Sequence, residues 1–303
     1  MFSSRRTPFV AILLIVFSIA CCSSPASANP NDTGAFLLMH SGMELGQTSK
    51  PGRGETVLLD AWFNSQQRRN AEGQMEYFHY KWDDFSNSGF SLFGQIFRSY
   101  GVATETLYSA PTLQKLKEAQ FYIIVSPDIP AKNPHSHYVQ PEDAEAVVQW
   151  VKQGGVLLLM ENDPANADIE HLDLLADRFG IHFNSVLSHH VISDEFQMGR
   201  IPVSGGGPLF HNAHTLYMKD TCTLSLRPPA VSMLQDKGDI LMASAKYGKG
   251  TVFAVVDPWL YNEYTNGKKL PPEYDNFAAG KELVRWLLQQ VPRDTRPSAQ
   301  HGR

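Results

Sequence analysis

The chain has 303 residues and a net charge of −5, and its only cysteines are Cys21, Cys22 and Cys222. An acidic chain of this length argues against nucleic acid and anionic membrane surfaces as partners, and it is long enough to build a large core without disulfide staples. Arg5 and Arg6 contribute two of the positive charges, and no acidic residue precedes Asp32.

The first segment reads as a secretory leader. A basic start is followed by an apolar run from Phe9 to Ala20, then by small residues ending Pro25-Ala26-Ser27-Ala28. That is the n-region, h-region and A-x-A order of a signal peptide over residues 1–28, with cleavage after Ala28. The alternative is a lipid anchor on Cys21, for which the preceding Ser18-Ile19-Ala20 is a poor recognition sequence. Either route gives an extracytoplasmic protein, periplasmic or secreted. No second apolar run of spanning length occurs, so no transmembrane segment is expected in the processed chain. Once the leader is removed Cys222 is the lone cysteine, expected as a small buried apolar side chain.

A polar, Gly-rich lead-in over 29–54 precedes the expected domain, 55–291. Val57–Asp60 reads as a buried strand. Ser88 opens a helix with Phe90, Phe93, Phe97 and Tyr100 on one face, stopped by Gly101. Thr104–Leu107 is strand-like, a short helix surrounds Leu113 and Leu116, and Phe121–Val125 is a continuous apolar run suited to a strand covered on both faces. Pro141 opens the next helix, where its missing N–H costs nothing, and Gly154-Gly155 ends it. Val156–Met160 is another buried strand. Asp168 begins a helix that Gly180 ends. Strand and helix thus alternate four times, as a parallel sheet with helices on both faces requires. Beyond Gly180, residues 214–219, 230–234, 239–246 and 251–256 read as strands, with a hairpin turn at Gly248-Lys249-Gly250. A last helix covers 276–290, and 292–303 is a polar tail expected to be disordered. The fold expected is α/β, a three-layer flavodoxin-like sandwich whose mainly parallel sheet carries an antiparallel extension.

Ligands of open α/β sheets bind beyond the carboxyl ends of the strands. The loops expected there hold Asp60 and Asn64, then His79, Lys81, Trp82 and Asp83, then Asp128, then Glu161, Asn162 and Asp163, then Asp257, Trp259, Tyr261, Asn262 and Glu263. Aromatic faces beside amides and carboxylates suit a sugar, whose rings stack and whose hydroxyls need planar polar partners. The expected ligand is an oligosaccharide, with Trp82, Trp259 and Tyr261 as stacking faces. Asn162, Asn262 and Lys81 would hydrogen-bond hydroxyls or a uronate carboxylate. Asp83, Glu161, Asp163 and Glu263 are the acid and base candidates if glycosidic bonds are cleaved, since such hydrolysis uses a carboxylate pair. The histidine pairs lack metal-ligand spacing, so no metal and no cofactor is expected. No G-x-S-x-G or G-x-C-x-G nucleophile elbow occurs.

Three blocks, His79 to Gly94, Leu157 to Ile181 and Val255 to Phe277, carry a family resemblance. With the order of strands, Gly154-Gly155-Val156 after a helix and Gly248-Lys249-Gly250 before the last strand, the chain resembles the class I glutamine-amidotransferase-like superfamily. More specifically, the three blocks look like the domain fused C-terminal to unsaturated rhamnogalacturonyl hydrolases of pectin-degrading bacteria. The resemblance implies a flavodoxin-like sheet, an extracytoplasmic setting in pectin and rhamnogalacturonan breakdown, and a polysaccharide-degrading enzyme as a partner. Where the amidotransferases place a nucleophilic cysteine after a strand, this sequence has Glu161-Asn162-Asp163, so no glutaminase mechanism is carried over, and neither are the residues of the hydrolase module. The expected role is an accessory or sugar-binding domain; the alternative is a glycan hydrolase using a carboxylate pair.

Overall fold

The computed structural model describes residues 50–292. The leader, Cys21, nearly all of the 29–54 lead-in and the tail after 292 lie outside them. The first strand, β1 (Thr56–Asp60), is followed by a two-stranded hairpin, β2 (Gln67–Arg69) and β3 (Met75–Tyr77), then by helix α1 (Ser91–Ser99). Strand β4 (Ala103–Leu107), the short α2 (Leu113–Leu116), β5 (Phe121–Val125), α3 (Pro141–Gln153), β6 (Val156–Met160) and α4 (Ile169–Ala176) continue the alternation. The antiparallel half then contributes β7 (Ile181–Ser188), a ribbon of β8 (Arg200–Val203) and β9 (His214–Tyr217), and β10 (Thr221–Leu226), β11 (Val231–Asp236) and β12 (Asp239–Tyr247). Strand β13 (Gly250–Val255), the single turn α5 (Asn262–Thr265) and α6 (Asn276–Gln290) close the chain.

The main sheet runs β4-β1-β5-β6-β13-β12-β10-β7, with β11 also paired to β12. The first five are parallel, and β12, β11, β10 and β7 are antiparallel. This is the expected α/β sheet with an antiparallel extension. The fully buried strands are those whose sequences are unbroken apolar runs, β5 and β6, joined by β13. Such runs fit only where helices cover both faces.

Two expectations change. The segment 214–219 forms β9, which pairs with β8 outside the main sheet, so the extension is built from other strands. The first long helix starts at Ser91 rather than Ser88, because its cap comes from elsewhere. Asn262 Oδ1 accepts the Leu92 N–H at 3.0 Å and the Ser91 hydroxyl at 3.1 Å. Its Nδ2 donates to the carbonyls of Asp84 and Ser86 at 2.9 and 2.8 Å. At the opposite edge, the hairpin at Gly248 brings β13 in tightly. A Cβ on Gly250 would stand 2.1 Å from the Val151 carbonyl oxygen, so the close approach of β13 to the end of α3 requires glycine. Cys222 is buried, its thiol 3.9 Å from the Val256 carbonyl.

Candidate functional site

Strand order reverses between β1 and β5, where the chain passes from β4 across β1 to β5. Open α/β sheets leave a crevice at such a point. Here the loops that border it are laced together. Asp128 accepts from the Ser65 N–H at 2.8 Å, Gln66 Nε2 at 2.7 Å and Asn133 Nδ2 at 2.8 Å. Asn64 Nδ2 donates to the Ser126 carbonyl at 2.8 Å. Lys81, 1% exposed, donates from Nζ to the backbone and side-chain oxygens of Asn64 at 2.8 and 2.9 Å and to the His79 carbonyl at 3.1 Å. Burial lowers the Lys81 ammonium to about 8, with the Asp60 and Asp128 carboxylates opposing that shift. Burial raises Asp60 to about 6, against the Tyr122 hydroxyl that donates to it at 2.7 Å. The Lys81 ammonium has three acceptors inside the protein, and Asp60, Asn64 and Asp128 are buried and bonded to other groups of the frame, so none of the four is turned to a ligand. Asp60, Asn64, Lys81 and Asp128 are therefore framework.

The open cleft lies further along the same edge, over β5, β6 and β13, and holds about 230 Å³. Five segments line it. The loop after the β2–β3 hairpin supplies His79, Tyr80 and Ser88, and the loop after β5 supplies Lys132. The loop after β6 supplies Asn162 and Asn166, the stretch before β10 supplies Lys219 and Asp220, and the segment after β13 supplies Tyr261, Glu263 and Tyr264.

Its first wall is a strained turn. His79 and Tyr80 both have left-handed backbones, φ 66° and 58°. Each such non-glycine conformation costs on the order of 1 kcal/mol and persists only where surroundings fix it. The fixing bonds are the His79 N–H to Asp84 Oδ2 at 2.9 Å, the Tyr80 N–H to the Ser88 carbonyl at 2.9 Å and the Phe90 N–H to the Lys81 carbonyl at 3.0 Å. The result stacks the His79 and Tyr80 rings, centroids 4.2 Å apart, and joins the Tyr80 and Tyr261 hydroxyls at 2.9 Å. Burial, and then the charges of Lys132 and Lys81, lower His79 to about 4, so its imidazole is neutral at pH 7, and its Nδ1 makes no hydrogen bond within the protein. Burial raises the Tyr80, Tyr261 and Tyr264 phenols, which stay protonated and can donate as well as accept.

The second wall is amide and lysine. Asp163 accepts from the Ala165 N–H at 2.9 Å and from Asn166 Nδ2, and Asn166 Oδ1 in turn accepts from Lys132. Burial lowers the Lys132 ammonium against the nearby Asp163 and Asp128 charges. Asn162 Nδ2 reaches the Tyr261 hydroxyl at 3.4 Å. Asp257, beneath, accepts the Lys219 N–H at 2.8 Å and is raised to about 8 by burial, so it is neutral at pH 7. Lys219 Nζ stands 3.3 Å from Asp220, and Glu263 pairs with Lys269 at 2.9 Å.

Of the fifteen residues expected from the sequence, four line this cleft: His79, Asn162, Tyr261 and Glu263. Trp82 and Trp259 offer no stacking face. Trp82 is packed on Phe93 and Phe97 with its Nε1–H on the Glu105 carbonyl, and Trp259 is fully buried. Asn262 is the cap of α1, and Asp257 and Asp163 hold the cleft's backbone from below. Glu161 is fully buried; Oε1 accepts the Asn162 N–H at 3.0 Å, Oε2 has no hydrogen bond, and burial raises its carboxyl well above the ordinary range. Asp83 is exposed in a different hollow, beside Arg68 and Tyr108. So Glu263 alone of the four acid and base candidates reaches the cleft. Asp220 is the only other carboxylate lining it among the described residues. Burial would raise it, but hydrogen bonds from His190 at 2.7 Å and the Val191 N–H hold it low. Among the described residues no group of three or more His, Cys, Asp or Glu is arranged to hold a metal ion.

No protein-family model and no curated protein matches the chain. Solved structures do. The mmIFT52 N-terminal domain is similar at 17% identity, covering 78% of this chain and 97% of that one, with a TM-score of 0.54. Cytoplasmic protein STM1381 from Salmonella typhimurium LT2 is similar at 12% identity over 79% of this chain and all of that one, TM-score 0.53. Both likenesses show the α/β fold and nothing finer. Exo-beta-1,4-mannosidase Op5Man5 from Opitutaceae bacterium strain TAV5 matches at 14% identity and TM-score 0.44, with this chain spanning 37% of its length, too distant to carry an argument.

Proposed function

We propose that this protein is a noncatalytic binding domain for acidic oligosaccharides. It would work outside the cytoplasm beside a polysaccharide-degrading enzyme in pectin or rhamnogalacturonan breakdown, as its amidotransferase-like resemblance implies. The observation that supports the ligand class is the convergence of five segments on one cleft lined mainly by lysine, amide, phenol and neutral imidazole. Lys132 and Lys219 suit a uronate carboxylate; Asn162, Asn166 and Tyr261 suit ring hydroxyls. A noncatalytic role is favoured because neither carboxylate in the cleft is placed as a general acid: Glu263 pairs with Lys269 at 2.9 Å, and hydrogen bonds from His190 and the Val191 N–H hold Asp220 low. General acid work asks instead for a carboxyl with a raised pKa within reach of the leaving oxygen.

Isothermal titration of the protein with unsaturated rhamnogalacturonan oligosaccharides, together with product analysis, tests the reading. Binding without products is expected. Lys132→Met or Lys219→Met should each weaken it by about tenfold, the size of one charged hydrogen bond, and carboxyl-reduced oligosaccharides should bind as weakly. Absence of binding would refute the ligand class, and release of cleaved sugar would replace the binding role with hydrolysis.

A further inference from the structure

Lys132 borders more than the cleft. That side chain also lines a second hollow of about 460 Å³, bordered by Gln67, Met75 and Tyr77 on the hairpin and by His135. Tyr77 in turn borders a third hollow of about 420 Å³ with Arg68, Phe85 and Tyr108. The three hollows thus neighbour one another through shared side chains, Lys132 between the first two and Tyr77 between the last two.

The far end carries aromatic faces more exposed than the tyrosines of the cleft. Phe85 is 83% exposed and Tyr108 48%, and the Tyr77 and Tyr108 rings lie 4.9 Å apart. Folding gains little from rings left in water, and clustered exposed aromatics rimmed by charge mark contact surfaces. The unpaired positive charge of the run sits at the cleft end, with Lys132; at this end Arg68 is held by Glu76 at 2.7 Å and Asp84 at 3.5 Å.

We infer that the three hollows act as one groove for a linear uronate-containing chain, with a terminal uronate in the cleft and later neutral rings stacked on the Tyr77–Tyr108 platform. The inference rests on the reading of the cleft as an acidic-oligosaccharide site. The carboxylates around the platform, Glu76, Asp83 and Asp84 beside the paired Arg68, suit neutral hydroxylated rings better than uronates or an apolar protein face, and leave the uronate to the lysine end.

The test is affinity against chain length. Calorimetric titrations would compare a rhamnogalacturonan disaccharide with an octasaccharide, on the wild-type protein and on a Tyr77→Ala/Tyr108→Ala variant. The wild type should bind the longer chain about tenfold or more tighter, since two stacked rings are added. The variant should lose that gain and keep the disaccharide affinity, which also reports that its cleft is intact. Equal wild-type affinities for the two lengths, with the disaccharide bound, would overturn this inference and leave the cleft reading standing. A variant that keeps the length gain would overturn it as well. Silence from both lengths removes the cleft reading and this one together. A wild-type dimer in sedimentation that the variant converts to monomer would assign the rings to self-association and overturn it too.

Discussion

Replacing Asp257 by asparagine should stabilise the protein at neutral pH. Asp257 is 1% exposed, and burial lifts its carboxyl from 3.8 to about 8. A carboxyl raised in the folded state contributes most below its unfolded pKa, and that contribution is lost as pH rises toward the folded value. Between about pH 4 and 7 the unfolded chain ionises there while the folded chain keeps its proton. At about 1.4 kcal/mol per pH unit, the wild type gives up about 4 kcal/mol at pH 7 relative to pH 4 through this one group. The amide oxygen of the substituted side chain can still accept the Lys219 N–H that Asp257 holds at 2.8 Å. Urea denaturation of Asp257→Asn and wild type at each unit from pH 4 to 8 would therefore diverge in one direction. The stabilities should be close at pH 4, and the variant should gain with each unit up to about pH 7. A difference that does not change with pH, or a variant less stable at pH 7 than at pH 4 relative to wild type, would refute the assignment.

Glu161→Gln should behave in the same sense, because burial raises that carboxyl too: melting at pH 7 should rise, while oligosaccharide affinity stays within about twofold. Gly89→Ala should destabilise by about 2–4 kcal/mol in chemical denaturation, since a Cβ there would stand 1.8 Å from the Asp84 carbonyl oxygen, inside the turn that shapes the first cleft wall. Asn262→Ala should cost about 1–3 kcal/mol through loss of the α1 cap and of the bonds to Asp84 and Ser86, read by the same denaturation. Cys222→Ser should cost about 1–3 kcal/mol by burying a hydroxyl and leave binding unchanged in titration.

The parallel half is legible in the sequence because its pattern is unmixed. Phe121–Val125 and Val156–Met160 are wholly buried runs, and the 276–290 helix keeps one apolar face. Ile181–Ser188 gives no strand signal, since after Phe183 its side chains are half-exposed or exposed and no alternation survives. The cleft is legible as an edge and not as a set of residues. Carboxylates and tryptophans at strand ends look like site residues, yet strand ends are also where a packed sheet needs caps and plugs, and Asn262, Asp128 and Trp82 serve there. Lys132 and Lys219 carry no local signal. Lys132 lies past the turn at Asp128, and Lys219 ends an expected strand. It reaches the cleft rim because Asp257, 38 residues later, grips its backbone. Long-range hydrogen bonds of this kind leave no spacing to read.

The place of β13 has a consequence for how the chain can be made and cut. The strand arrives about 90 residues after β6 in sequence, yet it sits beside β6 in the middle of the sheet and links the parallel strands to the antiparallel ones. Until it is delivered, a nascent chain ending anywhere between Gly180 and Tyr247 carries the β6 backbone edge open, flanked by wholly apolar side chains, and an open apolar edge recruits other chains. The two halves are therefore not separable modules. A fragment stopping near Gly180 should aggregate, and a fragment beginning there would have β13 with no parallel neighbour. Tolerated cut points belong at exposed turns such as Lys237-Gly238, between two strands that already have each other as partners.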